Sequence, residues 1–121
     1  SPDESRLYVS ETGDQTRYDP EQLIRVFDVA DDGALSGGGE FHRVSPGYCD
    51  GMRMDEDGNV WSSAGDGVHC IDPDGALLGK IFVPETVATL CFGGPARNRL
   101  FIGASQTLYA IYLNRRGALW P

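Results

Sequence analysis

Short apolar runs separated by Gly- and Asp-rich turns fill this chain, and no window carries apolar residues at a sustained helical period. Three of the runs open in the same way after a polar turn: Leu7-Tyr8-Val9-Ser10, Val60-Trp61-Ser62-Ser63 and Leu100-Phe101-Ile102-Gly103. Each is followed by a second strand signal, at Leu23–Asp28, Val68–Asp72 and Leu108–Tyr112. Asp-Gly recurs at 32–33, 50–51, 57–58, 66–67 and 74–75, and it is the strongest short-range hairpin signal because Gly accepts the positive φ of a primed turn cheaply. The pattern predicts an all-β chain. Strands are expected at 6–11, 22–29 and 40–44, then at 51–55, 59–64, 67–71 and 79–83, and last at 88–92, 99–103 and 107–113.

A repeat of roughly 40–50 residues made of four short strands is the signature of a propeller blade. The strands are short and mostly apolar on both faces, as stacked blades require. On this reading residues 1–44 form a blade lacking its inner strand, 45–83 a complete blade and 84–114 a blade lacking its outer strand, with 115–121 a tail. A closed propeller needs four or more blades, so about three blades in 121 residues make a partial ring.

Composition changes the picture mainly by exclusion. With 10 basic against 18 acidic residues, a net charge of −8 speaks against nucleic acid or an anionic membrane as partner. Arg115-Arg116 is the one dense basic spot and reads as a solvated pair in the tail. Cys49, Cys70 and Cys91 are evenly spaced but form no close pair of the kind zinc sites use, and each lies in an apolar stretch, so all three are expected in the core. No apolar run reaches the length of a membrane span, and no signal-peptide pattern opens the chain. With unpaired thiols, this makes a cytoplasmic setting the expectation.

Several segments together carry a resemblance. Ser1-Pro2-Asp3-Glu4 stands before Leu7-Tyr8-Val9, and Asp50-Gly51-Met52 before Asp55-Glu56-Asp57-Gly58-Asn59-Val60-Trp61. Gly65-Asp66-Gly67-Val68, Asp72-Pro73-Asp74-Gly75, Leu78-Gly79-Lys80-Ile81, Pro84-Glu85, Phe92-Gly93-Gly94 and Leu108-Tyr109 follow in order. In this order and spacing they resemble the C-terminal half of the gluconolactonase and senescence-marker-protein (regucalcin) family. The resemblance implies a segment of a six-bladed β-propeller and metal-assisted hydrolysis of a sugar lactone. The divalent cation would be Ca²⁺ foremost, with Mg²⁺ or Zn²⁺ as alternatives.

The family's metal-binding Asp opens an inner strand in a Pro-Asp-Gly motif. Here that motif is Cys49-Asp50-Gly51, so the resemblance makes Asp50 the metal ligand and base. Tyr48, Cys49 and Thr89 become candidates for the substrate pocket; Thr89 stands where the family often has Asn. The family's other metal ligands fall outside these residues. Read without the resemblance, Asp50 is an Asp-Gly turn like the others.

Other motifs point to structure. Asp55-Glu56-Asp57-Gly58-Asn59 looks like the start of a Ca²⁺-binding loop but has Asp66 where that loop needs Glu, and strand patterns flank it, so it reads as a hairpin. His42 and His69 lie on expected strands with no nucleophile motif beside them. Trp61, Phe101 and Tyr109 recur at equivalent blade positions, which suits packing between blades. Two functions stay open: a lactone hydrolase, or a non-catalytic truncated propeller serving as an interaction or structural module. The unpaired blade edges predict a homodimer in which a second copy closes the ring.

Overall fold

The computed structural model describes residues 1–14, 16 and 22–119. Ten strands account for its regular structure: β1 (Arg6–Glu11), β2 (Leu23–Val29), β3 (Leu35–His42), β4 (Met52–Met54), β5 (Val60–Ala64), β6 (Gly67–Ile71), β7 (Leu77–Phe82), β8 (Val87–Gly93), β9 (Arg99–Ala104) and β10 (Leu108–Tyr112). They pair antiparallel in three sheets, of order β1-β2-β3, β4-β5-β6-β7 and β10-β9-β8. The chain is therefore all-β, and its sheets are consecutive blades of a partial propeller. Among the described residues there is no helix, and hence none long and apolar enough to cross a membrane.

Two cores alternate with the sheets. Ile24, Val44, Cys49, Val60, Ala64 and Ile71 pack between the first and second sheets. Trp61, Val68, Val83, Val87, Leu90, Leu100 and Ile102 pack between the second and third. Strand β5 shows why both are needed. Its successive side chains point to opposite faces, so Val60 and Ala64 enter one core while Trp61 enters the other, and all five of its residues are buried.

Three features depart from the sequence reading. Strand β3 begins at Leu35, not at residue 40, because Ser36-Gly37-Gly38-Gly39 continues the ladder through a register shift at Gly38, with a second shift at Phe41. Gly37 and Gly38 have φ of 84° and 85°, a conformation in which the backbone can bulge without steric cost. The core expectation for cysteines holds for Cys49 but not for Cys91, which is exposed; Cys70 is half-buried. Cys91 sits between Leu90 and Phe92 on β8, and strand alternation sends it to the face turned away from the second sheet.

The segment after β10 straps the second sheet to the third. Arg116 O accepts from Glu56 N at 2.9 Å, Gly117 N donates to Arg97 O at 2.8 Å, and Ala118 N donates to Met54 O at 3.0 Å. Arg115 pairs with Asp57 at 2.6 Å while remaining largely exposed. Residues 120–121 of the expected tail lie outside the described residues, as do 15 and 17–21 of the expected first unit.

Candidate functional site

Hairpin order assigns the turns to the two ends of the second sheet. The approach to β4 and the β5–β6 turn share one end, while the β4–β5 and β6–β7 turns share the other. Asp50 lies at the first end, exposed, and among the described residues no hydrogen bond reaches its carboxylate. Its backbone, in contrast, is held firmly. The hydroxyl of Ser63, fully buried on β5, accepts the N–H groups of Asp50 at 2.9 Å and Gly51 at 3.0 Å. Ser63 N in turn donates to Gly51 O at 2.8 Å, extending the β4–β5 ladder one step toward Asp50.

Gly51 brings the third sheet against this turn. A Cβ there would lie 2.9 Å from Ala88 O and 3.1 Å from Thr89 Cα, a separation that only glycine permits. Thr89, exposed on β8, therefore stands beside the Asp50 turn. Cys49 turns the other way. Its side chain is buried in the core between the first two sheets, its thiol lies 3.7 Å from Gly51 O, and Ser10 Oγ donates to its carbonyl. Burial pushes the Cys49 thiol pKa up, although bonds from the Ser62 and Ser10 hydroxyls oppose the shift. Tyr48 is half-buried in the loop between β3 and β4, where Gly65 N donates to Pro46 O at 2.8 Å. Thr89 thus lies against Gly51, the residue after Asp50, with Asp50 and Thr89 both exposed, while the Cys49 side chain is buried in the core between the first two sheets.

A second polar cluster occupies the same end. His69, only 1% exposed on β6, bonds through Nε2 to Asp66 Oδ1 at 2.7 Å. Lys80 Nζ donates to Asp66 Oδ2 at 2.9 Å and to Ser45 O at 3.3 Å. A carboxylate only accepts, so Nε2 carries the proton, and Nδ1 is buried without a partner among the described residues. Burial lowers the His69 pKa below its ordinary 6.5 against the pull of Asp66; Lys80 and, more weakly, His42 also lower it. Burial pushes Asp66 up, but the bonds from Lys80 and His69 outweigh it and its pKa falls.

The sign of the linkage follows. Unfolded His69 takes up a proton near pH 6.5 while the folded residue resists, so stability declines as pH falls below about 6.5. Urea midpoints should therefore drop between pH 7.5 and pH 5.5, and His69→Gln should flatten that drop. An equally steep fall in the variant would show that His69 does not set it.

The hairpin reading of Asp55–Asn59 is accurate, with the buried Asp55 carboxylate at its centre. It accepts from Asp57 N at 3.0 Å, Asn59 N at 2.9 Å, Asn59 Nδ2 at 2.9 Å and Trp61 Nε1 at 2.9 Å. Among the described residues no three His, Cys, Asp or Glu side chains gather as a metal site would require. A hard cation takes six or more oxygen ligands, so Asp50 with its neighbours does not make a Ca²⁺ or Mg²⁺ site by itself.

The family model for the SMP-30/Gluconolactonase/LRE-like region matches residues 1–106. The chain is 35% identical over 106 residues to pentonolactonase XacC from Haloferax volcanii, covering 83% of this chain and 34% of that protein. It is 31% identical over 121 residues to a gluconolactonase from Zymomonas mobilis, covering 92% of this chain and 32% of that one. A solved gluconolactonase from Xanthomonas campestris superposes with a TM-score of 0.80 at 38% identity, covering 97% of this chain and 35% of its own. The chain therefore spans about a third of the length of these relatives.

Proposed function

The chain belongs to the SMP-30/Gluconolactonase/LRE-like family, and on that premise we propose that it forms part of a lactone-hydrolysing propeller in which Asp50 is the working carboxylate. The observation that supports this most is the environment of Asp50: an exposed carboxylate with no partner among the described residues, on a backbone clamped at two N–H groups. Such a group can take a proton from water as the water attacks a lactone carbonyl. The ring C–O bond then breaks, the ring oxygen receives a proton, and an open hydroxy acid leaves. The substrate class is a sugar lactone. Thr89, beside Asp50, offers a hydroxyl to the sugar, and Tyr48 lies in the adjoining loop. A divalent cation, Ca²⁺ foremost, would take Asp50 as one of its oxygen ligands together with groups beyond these residues, and would supply Lewis-acid polarisation of the lactone carbonyl.

The test is acid release from gluconolactone followed by pH-stat, with Ca²⁺, Mg²⁺ or Zn²⁺ added and again with chelator. A rate above the spontaneous one supports the hydrolase. A rate equal to the spontaneous one under every condition would leave the interaction-module reading.

We also propose that a chain of these 121 residues pairs with a second copy. Strands β1 and β10 each have one sheet neighbour, so each leaves a free edge. Leu7 is 42% exposed and Val9 40% on the first sheet, and Leu108 and Tyr112 are each 71% exposed on the third. Sedimentation should give twice the 13.1 kDa chain mass, and Leu7→Glu or Ile111→Glu should halve it or unfold the protein. A stable, well-folded monomer at micromolar concentration would refute pairing. The three free cysteines fit a reducing, cytoplasmic setting.

A further inference from the structure

We propose that Ser63 is a positioning residue for Asp50, fixing the turn that aims its carboxylate; the inference rests on the assignment of Asp50 as the working group. A serine inside a strand buried on both faces has to find partners for its oxygen. Ser63 is 0% exposed, and its hydroxyl accepts two N–H groups, those flanking the Asp50 α-carbon's peptide links at positions 50 and 51. Its own N–H returns to Gly51 O at 2.8 Å. Three bonds thus join one residue of β5 to the two residues that define the turn.

The carboxylate itself has no side-chain partner among the described residues, so its direction is set by the backbone beneath it. The third sheet closes the other side of the clamp, since Gly51 abuts Ala88 and Thr89. Trp61, two residues before Ser63, shares its face of β5 and packs in the core between the second and third sheets. Ser63 is therefore anchored by the same packing that brings Thr89 near Asp50. Removing the hydroxyl frees two adjacent N–H groups and loosens the turn without touching the carboxylate.

The experiment uses the intact protein and has two readouts. Amide hydrogen exchange by NMR should show the Asp50 and Gly51 N–H groups exchanging at least about tenfold faster in Ser63→Ala, with the β6 amides unchanged. Lactone turnover should fall about ten- to a hundredfold in kcat, with KM within about twofold, because misalignment weakens the transition state more than binding. A double-mutant cycle then separates positioning from general damage. If Ser63 acts through Asp50, Ser63→Ala should add nothing to Asp50→Asn.

Fully additive effects, or unaltered exchange at Asp50 and Gly51, would overturn the inference. Full activity in Asp50→Asn would instead overturn the assignment of Asp50, and with it this inference. If Ser63→Ala does not fold, Ser63→Cys, which keeps the shape with a weak acceptor, is read in its place.

Discussion

Asp55→Ala should cost about 2–6 kcal/mol, a large part of the 5–15 kcal/mol that holds a domain of this kind together. Asp55 is 0% exposed and accepts four hydrogen bonds, from Asp57 N, Asn59 N, Asn59 Nδ2 and Trp61 Nε1. Truncation leaves the indole N–H and the Asn59 amide buried with no acceptor, and a donor stranded in this way costs about 1–3 kcal/mol. Trp61 is the largest side chain of the core between the second and third sheets, where it meets Phe92 edge-on at 5.9 Å. Freeing its ring therefore loosens the packing of one sheet on the next. The backbone adds a further link, because Asp55 also forms the bridge to Gly117 in the terminal strap. Asp55→Asn should fall between wild type and alanine, since one amide oxygen can still accept while the NH₂ faces donors. Urea unfolding followed by tryptophan fluorescence measures both, and a loss below about 1 kcal/mol in the alanine variant would contradict this account.

Strand positions were readable because hairpins impose period-two patterns and Asp-Gly marks their turns. Strand β5 illustrates this well: Val60-Trp61-Ser62-Ser63-Ala64 follows Asp57-Gly58 and lies where the pattern put it. Strand β3 was readable only in its second half, since a serine followed by three glycines carries no apolar alternation. What keeps those residues in the sheet is pairing with β2, a long-range contact that local pattern cannot carry. The strap at 116–118 was illegible for the same reason: it is held by backbone bonds to Glu56, Met54 and Arg97.

The site divided along similar lines. Asp50 stood out only through the resemblance, because its sequence context is that of any Asp-Gly turn. Thr89 is brought beside it by the close approach of Gly51 to β8, a contact between sheets. Ser63 carries a signal of its own, since two serines in a strand expected to be buried on both faces mean oxygens in need of partners, but its bonds to Asp50 N and Gly51 N needed the fold. His69 likewise carried a signal, since a histidine among Val68, Cys70 and Ile71 must be paired or neutral, but its tie to Asp66 and Lys80 needed the fold.

Asp50→Asn should lower kcat/KM for a sugar lactone about 10²- to 10⁴-fold while leaving the urea midpoint nearly unchanged. The substitution keeps the volume and the backbone N–H bonded to Ser63, and it removes only the charge and basicity of an exposed side chain. Nothing in the fold depends on that charge, as no described residue bonds to it. Asp57 and Asp74 are the proper controls. Both lie in Asp-Gly-rich turns at the opposite end of the second sheet, so they match Asp50 in sequence context but not in place. Asp57→Asn loses an exposed ion pair with Arg115, worth about 0–1 kcal/mol, and Asp74→Asn alters a turn whose carboxylate capping comes from Asp72. Both should keep turnover within about twofold of wild type. If all three substitutions act alike, position at the sheet end has no bearing on catalysis and Asp50 is an ordinary turn residue. A selective loss at Asp50 would tie turnover to the carboxylate of the turn that abuts Thr89 through Gly51.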